Sequence, residues 1–213
     1  MIRVALIDDH AIVRMGFRML LESAQPAAFT VVGEADDGET LLTHWPKWQA
    51  DVVVMDLSMP GLGGLETLRR LRAKDDAPAV LVLSAHEDAA YPRRALNAGA
   101  LGYLSKRGAP EALPEAVRAV AAGRRWLDAQ TAQRLALSQL DGSSGSPFDL
   151  LSEREFEVFV RLARGASVAD IAGQLHLSAS TVGTHLYHVK QKLGAANQAE
   201  LTLAALRWGA IEP

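Results

Sequence analysis

The chain has 213 residues, long for one domain and comfortable for two, with 49% hydrophobic and 22% charged residues, as in ordinary globular proteins. A net charge of −3 gives no basic footprint, so any nucleic-acid contact must be local; the lack of cysteine excludes disulfides and thiolate metal sites and fits a reducing compartment. No apolar run approaches the ~20 residues needed to cross a bilayer, and the amino end meets Asp8-Asp9 too early for a signal peptide, so the expectation is a cytoplasmic protein without membrane contact.

Ile2 to Ile7 is a short apolar run ending in Asp8-Asp9-His10, followed by the helical spacing of Ile12, Val13, Phe17, Leu20 and Leu21. Thr30-Val31-Val32 is a second strand closed by Gly33, and Asp37-Gly38 opens a short helix containing Leu41 and Leu42. Asp51-Val52-Val53-Val54-Met55-Asp56 reads as a buried parallel strand that delivers Asp56 to the rim of a sheet, where Ser58-Met59-Pro60-Gly61 makes a loop. Leu65, Leu68 and Leu71 repeat at helical spacing, and Ala79 to Leu83 is a fourth strand ending in Ser84. Asp88 caps the next helix and Gly99 stops it; Leu101 to Ser105 is a fifth strand ending in Lys106. Pro110-Glu111 starts a helix through Leu113, Val117 and Val120 that Gly123 ends. Strand and helix thus alternate five times, which predicts right-handed βαβ units and a parallel five-stranded sheet.

Singly, these features have ordinary structural readings. Asp8-Asp9 suits a solvated helix start, Ser84 a turn, Lys106 a surface, and Met59-Pro60-Gly61 a turn. Their coincidence carries the argument, because a parallel sheet does its chemistry beyond the carboxyl ends of its strands. Three carboxylates on one rim repel unless a divalent cation relieves them, and an all-oxygen set suits Mg²⁺. A metal-bound carboxylate is a nucleophile towards phosphorus, with Asp56 the candidate because it stands alone on the central strand. Ser84 and Lys106 could hold the oxygens of a transferred phosphoryl group.

The half from Met1 to about Gly123 resembles a bacterial response-regulator receiver domain, whose acidic pair, phosphoacceptor Asp, Ser/Thr and Lys are matched in order by Asp8-Asp9, Asp56, Ser84 and Lys106. The resemblance implies a flavodoxin-like (βα)5 fold. It also implies that Asp9, Asp56 and the Ser58 backbone carbonyl bind Mg²⁺ with Asp8 acting through water, and that Ser84 and Tyr103 form a switch in which the ring follows the hydroxyl inward. On its own, Tyr103 is equally a half-buried strand aromatic.

Ala129 to Leu140 has helical spacing, and Asp141-Gly142-Ser143-Ser144-Gly145-Ser146-Pro147 reads as a flexible tether. The predicted organisation is a first domain over 1–123, a linker over 124–147 and a second domain over 148–213. From Phe148 onward the pattern is helical. Ser152 and Glu155 form a capping box; Phe156, Phe159, Val160 and Ala163 face inward; Ser167 with Asp170 makes a second, weaker cap before Ile171, Ala172 and Leu175. A tight turn at Leu177-Ser178 then leads into a helix to Leu193, giving a helix-turn-helix. Val182, Leu186, Val189 and Leu193 share the packing face of that helix. Ser180, Thr184, Tyr187, His188 and Gln191 project opposite, flanked by Lys190 and Lys192, and the helix contains no acid. With Thr181 these are the candidate DNA contacts, polar groups for bases and cations for phosphates. A solvated face of an interaction domain remains the alternative, since 148–213 holds six Lys/Arg against seven Asp/Glu.

Leu151-Ser152-Glu153-Arg154-Glu155, Gly165-Ala166-Ser167, Ile171-Ala172, Leu177-Ser178, Thr181-Val182, Thr184-His185-Leu186 and Lys192-Leu193-Gly194 resemble a LuxR-type helix-turn-helix domain, all-α with four helices. Gly183 departs from the family's usual Lys and Val168-Ala169 from its polar pair. In that family the last helix, here with Leu201, Leu203, Leu206 and Trp208, makes a dimer contact; packing inside the monomer explains those residues equally well. The two halves together resemble the NarL/FixJ class of response regulators. Ile7-Asp8-Asp9-His10, Asp56-Leu57-Ser58-Met59-Pro60, Ala95-Leu96-Asn97-Ala98-Gly99-Ala100 and Leu104-Ser105-Lys106-Arg107 are most similar to the hexose-phosphate uptake regulators. What this implies is phosphorylation of Asp56 by a sensor histidine kinase, a homodimer in the phosphorylated state, and binding to double-stranded promoter DNA, with no enzyme activity of its own. Two rivals share the residues: a phosphorylation-independent DNA-binding regulator whose receiver is a dimer platform, and a haloacid-dehalogenase-like phosphohydrolase, whose Asp-x-Asp after the first strand is missing here.

Overall fold

A computed structural model describes residues 1–24, 28–85, 90–108, 110–140, 147–208 and 210–211. The chain divides into two compact units, with the main boundary between Leu135 and Ala136, inside the helix Ala129–Leu140 that begins in the first unit.

The first unit alternates strands and helices: β1 (Ile2–Ile7), α1 (Ala11–Ser23), β2 (Phe29–Ala35), α2 (Gly38–Trp48), β3 (Val52–Asp56), α3 (Gly64–Arg72), β4 (Ala79–Ser84), α4 (Ala90–Asn97), β5 (Gly102–Ser105), α5 (Leu113–Ala121), β6 (Trp126–Leu127) and α6 (Ala129–Leu140). The sheet is parallel as expected, but it has six strands in the order β2-β1-β3-β4-β5-β6 instead of five. The sixth, Trp126–Leu127, is too short to show alternation and lies in a stretch read as linker; it pairs Gly102 with Trp126 and Tyr103 with Leu127. The order jumps between β1 and β3, so the crevice beyond the strand ends opens where β1, β3, β4 and β5 finish side by side. Val52 to Met55 are sealed on both faces, which is why β3 reads as an unbroken apolar run without alternation.

β2 runs through Gly33, where the sequence had suggested a stop. The Trp48 ring lies on the glycine, and a β-carbon there would sit 2.2 Å from it, so packing explains this glycine and no turn is involved. The helix read from Pro110 begins instead as a 3-10 turn over Pro110–Ala112, followed by α5. The proposed Asp88 cap and the tether residues 141–146 lie outside the described residues.

The second unit contains, among the described residues, a 3-10 turn over Pro147–Leu150 and four helices: α7 (Glu153–Ala163), α8 (Val168–Leu175), α9 (Ala179–Leu193) and α10 (Gln198–Arg207). Phe148, Phe156 and Phe159 meet at ring separations of 4.7 to 6.1 Å in its core. Both predicted caps form as complete boxes: Ser152 with Glu155, and Ser167 with the shorter Asp170, whose carboxylate still reaches the Ser167 amide at 3.1 Å.

Candidate functional site

Burial in apolar β3 and the turn after it place Asp56 at the rim. The Gly64 amide donates to the Leu57 carbonyl at 3.0 Å, and a β-carbon on Gly64 would lie 2.3 Å from the Asp56 carbonyl, so only glycine lets α3 start this close to the strand end. Asp56 is 3% exposed, and its carboxylate accepts from the Ser58 amide at 3.2 Å.

Lys106, one residue past β5, reaches back across the rim. Its Nζ lies 2.5 Å from Asp8 Oδ2 and 2.7 Å from Asp56 Oδ2, so one ammonium holds two buried carboxylates that would otherwise repel. Burial pushes the Asp56 carboxyl above its usual range, more than the Lys106 ammonium pulls it down. For Lys106, burial works against the charge, but Asp56 and Asp8 outweigh it and hold the ammonium above the ordinary lysine value.

Asp9 is more open, and its Oδ1 lies 2.8 Å from His10 Nδ1. Donor atoms of Asp8, Asp9, His10 and Asp56 all lie within 4.8 Å of one another, a spacing one small cation could share. The oxygen donors suit a hard divalent ion. His10 was not among the sequence candidates; its place directly after the acidic pair was the available signal.

Ser84 ends β4 and is fully buried, opposite Ser105 of β5, with its carbonyl accepting from the Lys106 amide at 2.8 Å. Tyr103 is 1% exposed, buried rather than half-buried. The rim therefore gathers Asp8, Asp56, Ser84 and Lys106, while Tyr103 sits in β5 beneath it.

In the second unit, Val182 and Val189 of α9 are fully buried and Leu186 and Leu193 half-buried, as the spacing predicts. Ser180, Thr181, Thr184, Tyr187, His188, Gln191 and Lys192 are exposed and Lys190 is half-buried. Some of this face is already engaged. The Ser178 hydroxyl caps the helix at Thr181 N–H and lies 2.8 Å from the hydroxyls of both Ser180 and Thr181, and Thr184 donates to the Ser180 carbonyl at 3.1 Å. Lys192 Nζ donates to Glu155 at 2.6 Å, and His188 Nδ1 lies 3.5 Å from the same carboxylate. Glu155, read from sequence only as a cap, thus also holds the carboxyl end of α9. Leu201 and Ala205 of α10 are buried inside the unit, whereas Leu203 and Leu206 are exposed, so the last helix divides between the two readings of its apolar residues.

The response regulator receiver domain family matches residues 4–118, and the luxR family of bacterial regulatory proteins matches residues 149–205. The response regulator UvrY of Escherichia coli K12 is 41% identical over 211 residues, covering 98% of this chain and 95% of the relative. The response regulator GacA of Pseudomonas protegens is 41% identical over 213 residues, covering 100% and 99%. These relatives bear other names than the hexose-phosphate uptake regulators that the short motifs resemble. A solved structure of RcsB from Salmonella enterica serovar Typhimurium, bound to the promoter rprA with the phosphomimetic BeF3⁻, is 30% identical with a TM-score of 0.62, covering 95% of this chain and 97% of that one. These relatives are regulators, which sets the phosphohydrolase reading aside, and no described helix is long and apolar enough to cross a membrane. A receiver unit followed by a luxR-type helical unit, matched end to end, makes this chain a member of the response regulators that join a receiver domain to a LuxR-type DNA-binding domain.

Proposed function

We propose that the chain is a transcription regulator switched by phosphorylation of Asp56, with a receiver over 1–123, a linker over 124–147 and a DNA-binding domain over 148–213. The observation that carries the reading is the single ammonium of Lys106 between Asp8 and Asp56. A sensor kinase's phosphohistidine presents phosphorus to the rim. An Asp56 carboxylate oxygen forms the P–O bond as the P–N bond breaks, and the histidine leaves as neutral imidazole. Lys106 and the Ser84 hydroxyl take the phosphoryl oxygens, and Tyr103 keeps the space beside β5 filled. Asp8, Asp9, Asp56 and the Ser58 carbonyl would hold Mg²⁺, which neutralises charge on the transferring group when bound.

The acyl phosphate replaces the single charge of the Asp56 carboxylate with nearly two, set farther out beside Lys106, which biases a two-state receiver towards a homodimer. Two copies of α9 then lie on paired half-sites of double-stranded DNA. Ser180, Thr181, Thr184, Tyr187, His188 and Gln191 meet bases and sugars, and Lys190 and Lys192 meet phosphates. Asp56→Asn should take up no phosphoryl group from a phosphohistidine donor, and chelation of Mg²⁺ should stop uptake by the unmodified chain. Labelling of the Asn variant to the same stoichiometry would end the assignment.

A further inference from the structure

The carboxylate of Asp128 does more than start a helix. Its Oδ1 accepts from the Thr131 amide at 2.8 Å, the ordinary cap of α6, while its Oδ2 accepts from the Thr131 hydroxyl at 2.8 Å and from the Ser105 amide at 3.2 Å. Ser105 is the last residue of β5 and the neighbour of Lys106. Ser105 and Thr131 are both buried, so these bonds are sheltered from competing water. The chain just before Asp128 is also laced to β5, with Leu127 opposite Tyr103. A helix cap alone needs one acceptor; the second oxygen here is spent on the strand that carries the rim lysine.

We propose that Asp128 is the hook through which the phosphorylation rim grips the helix leading out of the first unit. This rests on the assignment of Asp56 as phosphoacceptor. In the unphosphorylated chain Lys106 is drawn to Asp8 and Asp56. A phosphoryl group on Asp56 sets its anionic oxygens farther out than the carboxylate it esterifies, so Lys106 must be re-aimed. A re-aimed side chain loads the backbone that carries it, and that backbone is tied to Ser84 through Lys106 N–H and to Asp128 through Ser105 N–H, so the load is passed to both partners. The first turn of α6 then feels the occupancy of the rim directly, without a relay through the helices that flank the sheet.

The test uses the full chain with Mg²⁺ and beryllofluoride, a phosphoryl mimic, and reads amide hydrogen exchange. The variants are Asp128→Ser and Asp128→Ala. Serine still caps the helix, but it has one oxygen and is too short to reach Ser105; alanine loses both bonds. In the unmodified chain, beryllofluoride should slow exchange in the loop after Asp56 and change exchange across Ala129–Arg134 by about threefold or more. In Asp128→Ser the loop should respond as before, while the response of Ala129–Arg134 disappears. Asp128→Ala should show the same lost response on a raised baseline. An undiminished α6 response in Asp128→Ser overturns the hook, as does an unmodified chain whose loop responds while α6 does not. No loop response in the unmodified chain sinks the acceptor assignment instead, and the hook with it.

Discussion

Lys106 shows how one side chain can decide the state of a site. Its ammonium is the counter-charge for Asp8 and Asp56, both nearly sealed from water. Lys106→Ala leaves two buried carboxylates facing each other, which should cost about 3 kcal/mol of stability in metal-free buffer. Added Mg²⁺ should restore more stability to the variant than to the parent, because the ion then supplies the missing positive charge. Urea unfolding with and without Mg²⁺ checks both statements. Glu155 is the corresponding residue of the second unit. Burial alone would raise its carboxyl, but the Lys192 ammonium and the Ser152 backbone and hydroxyl bonds win and hold it below its usual 4.5. A lowered folded value means that the carboxylate stabilises the fold above pH 4.5 and loses that contribution as pH falls through the folded value. Glu155→Gln should therefore be less stable than the parent near neutrality, and the gap should close as the pH falls below 4.5 and through the lowered folded value.

At the scale of elements, α9 carries an avoidable weakness. Gly183 sits inside α9 with nothing within 4 Å of where a β-carbon would be. Gly183→Ala should stabilise the second unit by about 1 kcal/mol, read as a higher thermal midpoint with the exposed side chains of α9 unchanged. The elements themselves were largely legible in the sequence. Sealed strands such as Val52–Asp56 announce themselves by unbroken apolar runs, and the caps at Ser152 and Ser167 by polar residues just before helical spacing begins, whereas Ser178, read only as part of a turn, also proves to be a cap. What stayed hidden depends on partners far along the chain. Trp48 explains Gly33 only once α2 lies on β2, and two residues paired with β5 leave no periodic trace. The same holds within the sites. The order Asp8-Asp9, Asp56, Ser84, Lys106 could be read from strand ends, but the second roles of Glu155 and Asp128 arise from bonds across 37 and 23 positions of sequence.

For the whole molecule, the proposed switch makes chemistry on one unit govern binding by the other. The exposed side of α9 proposed to face DNA is not strongly basic, and Lys192 and His188 are drawn to Glu155. On the proposed reading, specificity rests on uncharged groups such as Thr184 and Tyr187. Replacing both by Ala should weaken binding to a cognate promoter by tenfold or more, about 1–3 kcal/mol for a lost base contact, with little change in the salt dependence of binding. An unchanged affinity in an equilibrium binding assay would move the DNA contact to another face.

The pairing of Trp126–Leu127 beside β5 has an effect on how copies of the chain can meet. A border of only two residues offers a visiting chain almost no free amides and carbonyls, so accretion of foreign backbone is blunted on that flank. Growth of the array beyond β6 stops there, and a second copy arriving from that direction must be met by side chains rather than by a continued ladder.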